Sequence, residues 1–146
     1  MYTPNVKNIE LTSTNYRGTL TLSNSTDFPN INTVNISRSN LNLSLQGVGV
    51  TSVNASNINN FQGTISIMNC DKLETFSVSG SILQSISVSG MSGKLKNFTL
   101  SNTHIRSITL DCVESGSSIS INNDDTVETV TLSGFETVTI NNCPKL

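Results

Sequence analysis

At 146 residues and a formal charge of −2 the chain is long enough for one domain, and its eight scattered Lys and Arg give no support to nucleic-acid binding. No apolar run reaches the roughly 18 to 20 residues of a membrane span, so membrane insertion is not expected either. Ser, Asn and Thr number 23, 20 and 18 while the charged residues make only 12%, which leaves disorder or a fold of many short, half-buried strands. Ile, Leu and Val alternate with Ser, Thr and Asn along nearly the whole length, the period-2 pattern of strands with one buried face, and this selects strands.

Taken in order, one motif recurs: an apolar residue, two others, an apolar residue, one other, an apolar residue. Val6, Ile9 and Leu11 open it, followed by Leu20 and Leu22; Ile31, Val34 and Ile36; Leu43 and Leu45; Val50, Val53 and Ala55; Ile65 and Ile67; and Leu73, Phe76 and Val78. The second half gives Leu83, Ile86 and Val88; Leu95, Phe98 and Leu100; Ile105, Ile108 and Leu110; Ile119 and Ile121; Val127, Val130 and Leu132; and Phe135, Val138 and Ile140. Central residues at 9, 20, 34, 43, 53, 65, 76, 86, 98, 108, 119, 130 and 138 step by about 11, and alternate members by about 22.

A step of 11 is too short for a strand plus a crossover helix, and the intervening Gly, Ser and Asn favour corners. The expected fold is a mostly β, right-handed parallel β-solenoid: about six coils of ~22 residues, two short strands each, stacked into a rod roughly 30 Å long. One sheet is centred on 9, 34, 53, 76, 98, 119 and 138, the other on 20, 43, 65, 86, 108 and 130. Phe76 should stack near Phe98; Ile65, Ile86, Ile108 and Val130 should form a ladder; and Glu74 should face Lys96, and Arg106 Glu128, across adjacent coils. Residues 1–146 read as a single solenoid domain whose ends carry no caps, which suggests a fragment of a longer array, end-to-end stacking or a homo-oligomer.

Close copies of one unit, Ile65, Ile67, Cys70, Leu73 and Val138, Ile140, Cys143, Leu146, resemble the leucine-rich repeat consensus LxxLxL followed by Asn or Cys and then Leu. Asn69 to Ser79, Asn-Cys-Asp-Lys-Leu-Glu-Thr-Phe-Ser-Val-Ser, is similar to the short repeats of bacterial surface proteins of the BspA-like type. The resemblance implies a non-catalytic module for adhesion or for protein or glycan recognition, at the cell surface or outside the cell. The N-terminal Met-Tyr-Thr-Pro lacks the features of a signal peptide, so any targeting segment has been removed or lies outside this sequence.

Residues with catalytic or metal-binding chemistry are sparse. Cys70, Cys112 and Cys143 cannot complete a disulfide framework and none sits in a CxxC, so three free thiols are expected. The single His104 reads as an exposed corner residue, and no serine lies in a G-x-S-x-G context. Asp111, Glu114, Asp124, Asp125, Glu128 and Glu136 crowd the last third; Asn122 to Asp125 could hold Ca²⁺ weakly, but a solvated corner is the preferred reading. No metal or cofactor is expected, and corners this short are not expected to build a cleft for catalysis. Five N-x-[ST] sequons, at Asn24, Asn35, Asn42, Asn54 and Asn97, are no more than this composition produces.

The distinctive positions face outward on the second sheet. Thr19 and Thr21, Asn42 and Ser44, Thr64 and Ser66, Ser85 and Ser87, Ser107 and Thr109, and Thr129 and Thr131 form two ranks of small polar groups on a nearly flat face, a candidate surface for a protein or glycan partner. Three readings of function follow: a recognition module, a structural segment of a phage fibre, and a polysaccharide-acting β-helix enzyme. Solubility is the plain reading of the ranks, and ice binding the least favoured because Ser and Asn break the array of Thr methyl groups.

Overall fold

The structure, a computed structural model, describes residues 5–23, 28–92, 95–112 and 116–146. Among them there is no helix; strands alternate between two sheets in strict succession. The first sheet takes β1 (Asn8–Glu10), β3 (Thr33–Asn35), β5 (Ser52–Asn54), β7 (Thr75–Ser79), β9 (Asn97–Ser101), β11 (Ser117–Asn122) and β13 (Phe135–Asn141). The second takes β2 (Arg17–Ser23), β4 (Asn40–Gln46), β6 (Thr64–Met68), β8 (Ile82–Met91), β10 (His104–Cys112) and β12 (Thr129–Ser133). Every pairing is parallel, as in a β-solenoid of about six turns, each a little over 20 residues long.

Register follows the expected ladders. Val34, Val53, Phe76, Phe98, Ile119 and Val138 are successive partners in one sheet, and Leu20, Leu43, Ile65, Ile86, Ile108 and Val130 in the other. Their side chains point between the sheets, where Leu43, Ile65, Phe76, Ile86, Phe98 and Ile108 are all fully buried. Each such side chain contributes about 1.5–3 kcal/mol by leaving water. The Phe76 and Phe98 rings stack with centroids 4.8 Å apart at 26°. Like meets like because each coil returns to the same place after one repeat.

Lys96 Nζ lies 3.1 Å from Glu74 Oε1, as the register requires. Arg106 and Glu128 differ from expectation. Their backbones do pair, the Glu128 N–H donating to the Arg106 carbonyl at 3.0 Å, but among the described residues the side chains form no ion pair. Both side chains are exposed, and holding two long chains together in water gains too little to fix them.

Corners obey a rule of their own. On the first sheet Gly80, Asn102, Asn123 and Asn142 directly follow a strand and are left-handed, as are Arg38 and Asn57 a few residues past β3 and β5; on the second, Gly47, Asn69 and Gly134 directly follow a strand and Gly90 sits near the end of β8, all with φ from 52° to 77°. Asn and Gly tolerate this region best, and it is here that the chain turns toward the other sheet. The ladder continues through the bend: the Asn57, Gly80, Asn102 and Asn123 N–H groups donate to Ser79, Ser101, Asn122 and Asn141 carbonyls on the next coil. Gly90 has a second reason to lack a side chain, since a Cβ there would collide with the Asn69 carboxamide.

Asp124 corrects the solvated-corner reading. Its carboxylate is fully buried: Oδ2 accepts from the Thr103 hydroxyl at 2.9 Å and the Ile105 N–H at 3.0 Å, while Oδ1 accepts from the Thr126 N–H and hydroxyl and the Val127 N–H. A buried charge persists only when its lone pairs are filled, and here they are filled by the chain itself. Cys70 is buried as expected and, like Cys143, is a free thiol that donates to the carbonyl two residues earlier. The side chain of Cys112, and Asn24 and Glu114, lie outside the described residues. In the last coil the inward positions are open: Val138 is 45% and Ile140 36% exposed, against 2% and 0% for Ile119 and Ile121 one coil below.

Candidate functional site

The two outward ranks exist as expected. Thr19, Asn42, Thr64, Ser85, Ser107 and Thr129 are neighbours across all six strands of the second sheet, and so are Thr21, Ser44, Ser66, Ser87, Thr109 and Thr131. They alternate with buried residues, so they stand on the solvent side; the Thr positions are exposed and the Ser and Asn positions half-buried. No Lys, Arg, Asp or Glu occurs at these twelve positions. Asn42 ties the first rank to its neighbours, donating to the Thr19 hydroxyl at 3.4 Å and accepting from the Thr64 N–H at 2.9 Å.

A groove that residue patterns did not indicate lies along the corner leading into this sheet. Its volume is about 750 Å³ and its lining includes Phe61, Ile82, Gln84, His104, Arg106 and Thr126. Strands β8 and β10 form the floor. Leu83 and Ile105 turn inward and are buried, which sets Ile82, Gln84, His104 and Arg106 outward. This corrects the expectation that the corners are too short to build a cleft.

Departures from the repeat raise the walls. Asn59 aligns with Ile82 and Thr64 with Ser85, so residues 60–63 stand opposite only 83–84. The surplus folds into a tight turn, Gly63 N–H to Asn60 carbonyl at 2.8 Å, with Phe61 at its tip and 76% exposed. On the other side Asn122 aligns with Ser101 and Thr129 with Ser107, leaving residues 123–128 against 102–106. That surplus is the turn pinned by Asp124. Its neighbour Asp125 places Oδ1 3.3 Å from His104 Nε2, so His104, exposed as expected, serves the rim of the groove.

No group of three or more His, Cys, Asp or Glu that could hold a metal gathers among the described residues. Both Asp124 carboxylate oxygens are occupied by protein donors, so Asn122 to Asp125 does not present that carboxylate to Ca²⁺. Asp111, exposed on β10, pairs with the Ser133 hydroxyl on the next coil. Burial pushes the Cys70 thiol up, opposite to what a nucleophile needs. Among the described residues no helix is long and apolar enough to cross a membrane. Compared with protein-family models, curated proteins and solved structures, the chain finds no match.

Proposed function

We propose that this solenoid is a non-catalytic recognition module, binding a glycan or protein through the outward face of its second sheet, within a bacterial surface or secreted protein. The observation that carries the reading is the continuity of uncharged hydroxyl and amide positions across six strands in register. Such a face is rigid, because each strand is fixed by its neighbours, so a ligand met by it loses little freedom to the protein's own ordering. Short polar side chains add many hydrogen-bonding groups at low entropic cost. The leucine-rich-repeat resemblance supports the location and the adhesive role.

Binding to an array of neutral and acidic glycans tests this, with the double variant Ser66→Gln, Ser87→Gln as the control for the face. Saturable binding that the variant weakens supports recognition. Cleavage products on the array would instead favour the polysaccharide-acting enzyme. A fibre segment is the second reading, supported by the unbroken parallel stacking of coils into two sheets. Sedimentation giving a trimer or longer assembly favours that reading; a monomer argues against it.

A further inference from the structure

The groove beside the face combines three features. Phe61 presents an aromatic ring to solvent at 76% exposure from a turn the repeat does not require. Arg106 stands on the floor with no ion-pair partner among the described residues, although Glu128 is its neighbour on the next coil. Gln84 on the floor adds donors and an acceptor; the Thr126 hydroxyl on the far wall already donates to Asp124 and keeps only its acceptor capacity, and His104 is engaged by Asp125.

We propose that this groove binds a carboxylate-bearing sugar residue, its ring lying on Phe61 and its carboxylate meeting Arg106; this rests on the recognition reading above and names its ligand and anchor. A pyranose offers a face of C–H bonds that fits the electron-rich face of an aromatic ring. A guanidinium pairs with a carboxylate through two parallel N–H bonds, which fixes orientation as well as charge. The volume, about 750 Å³, lies within the span of ligand sites, roughly 300–1,000 Å³. From the floor the strands run straight into the ranks, Gln84 into Ser85 and Arg106 into Ser107, so further sugar units have hydroxyls to follow.

An extended acidic peptide fits less well. Peptides of that kind add a strand to an open sheet edge, whereas β8 and β10 are each paired on both sides by β6, β10 and β8, β12. The floor therefore offers side chains only, the currency of sugar hydroxyls.

Titration calorimetry of the whole chain tests the assignment with galacturonate tetrasaccharide and sialyllactose. Methyl-esterified galacturonate and lactose serve as uncharged controls and hexaglutamate as the peptide control. At least one acidic saccharide should bind saturably, with its uncharged counterpart, Phe61→Ala and Arg106→Ala each weaker by about tenfold or more. Arg106→Lys should fall between, and both sites are exposed enough that circular dichroism should be unchanged. Equal binding of the uncharged control, or equal binding of hexaglutamate, overturns the ligand class. Binding that survives Phe61→Ala and Arg106→Ala but is lost in Ser66→Gln, Ser87→Gln overturns the groove while leaving recognition by the face. No binding to any saccharide overturns the groove and the glycan reading together.

Discussion

Replacing Asp124 separates a structural carboxylate from a solvated one, because this side chain decides whether the wall of the groove is built into the core. Asp124→Ala removes an acceptor from the Ile105 and Val127 N–H groups, both in fully buried residues, and from the buried Thr103 hydroxyl. A buried donor left unsatisfied costs about 1–3 kcal/mol, so the two amides alone cost about 2–6, and about 4 kcal/mol is expected. Asp124→Asn keeps the acceptor that holds Thr126 and Val127 but turns an N–H₂ toward the Ile105 N–H, one clash of donors worth about 1–3 kcal/mol. Urea unfolding followed by far-ultraviolet circular dichroism reads both. With a slope near 2 kcal/mol per M, the midpoint should fall by about 2 M for alanine and about 1 M for asparagine. An alanine variant within about 0.5 kcal/mol of the parent, the range of an ordinary surface change, would refute the reasoning.

Among the described residues Arg38 is the one left-handed corner residue that is neither Asn nor Gly, and its side chain is exposed, so Arg38→Asn should stabilise by about 0.5–1 kcal/mol in the same assay. A double-mutant cycle on Phe76→Leu and Phe98→Leu should give a coupling of about 0.5–1.5 kcal/mol, whereas rings on unrelated coils would give none. Alkylation mapped by mass spectrometry should leave Cys70 unmodified in the native protein and modified after unfolding. Because burial raises its thiol in the folded state only, the folded chain holds that proton more tightly. Its stabilising contribution is complete below the ordinary thiol value, about 8.5, and is lost as pH rises past it toward the raised folded value; Cys70→Ala should flatten that loss.

The fold was legible because inward positions alternate with a period of two and return after about 22 residues, which fixes sheet membership and register at once. Phe76 over Phe98 and Glu74 beside Lys96 follow from that arithmetic without any knowledge of the corners. The left-handed rule at the corners was less visible, since Asn and Gly are frequent everywhere here and only φ singles out Asn57, Asn69 or Gly80. Asp124 misled because a carboxylate among Asn residues looks like a solvated turn; burial came from donors on a different coil, Thr103 and Ile105, which local reading does not reach. Arg106 and Glu128 were placed correctly in register, yet register positions backbones while exposed side chains choose water.

The groove was missed for a related reason. Its signal is a departure from the repeat, the surplus residues at 60–63 and 123–128, and a reading built on the average period smooths such departures away. Hydroxyl ranks stand out as a pattern, whereas Phe61 is an exposed aromatic off the inward rhythm of its coil, a property it shares with Tyr16.

The central claim is that each coil lies directly above the last in parallel register. Interstrand nuclear Overhauser contacts on labelled protein test it most directly. Methyl contacts should link Ile65 to Ile86 and Ile86 to Ile108, and the Phe76 ring should contact the Phe98 ring. Antiparallel contacts between β7 and β8, joined as a hairpin, with no Phe76 to Phe98 contact, would contradict it.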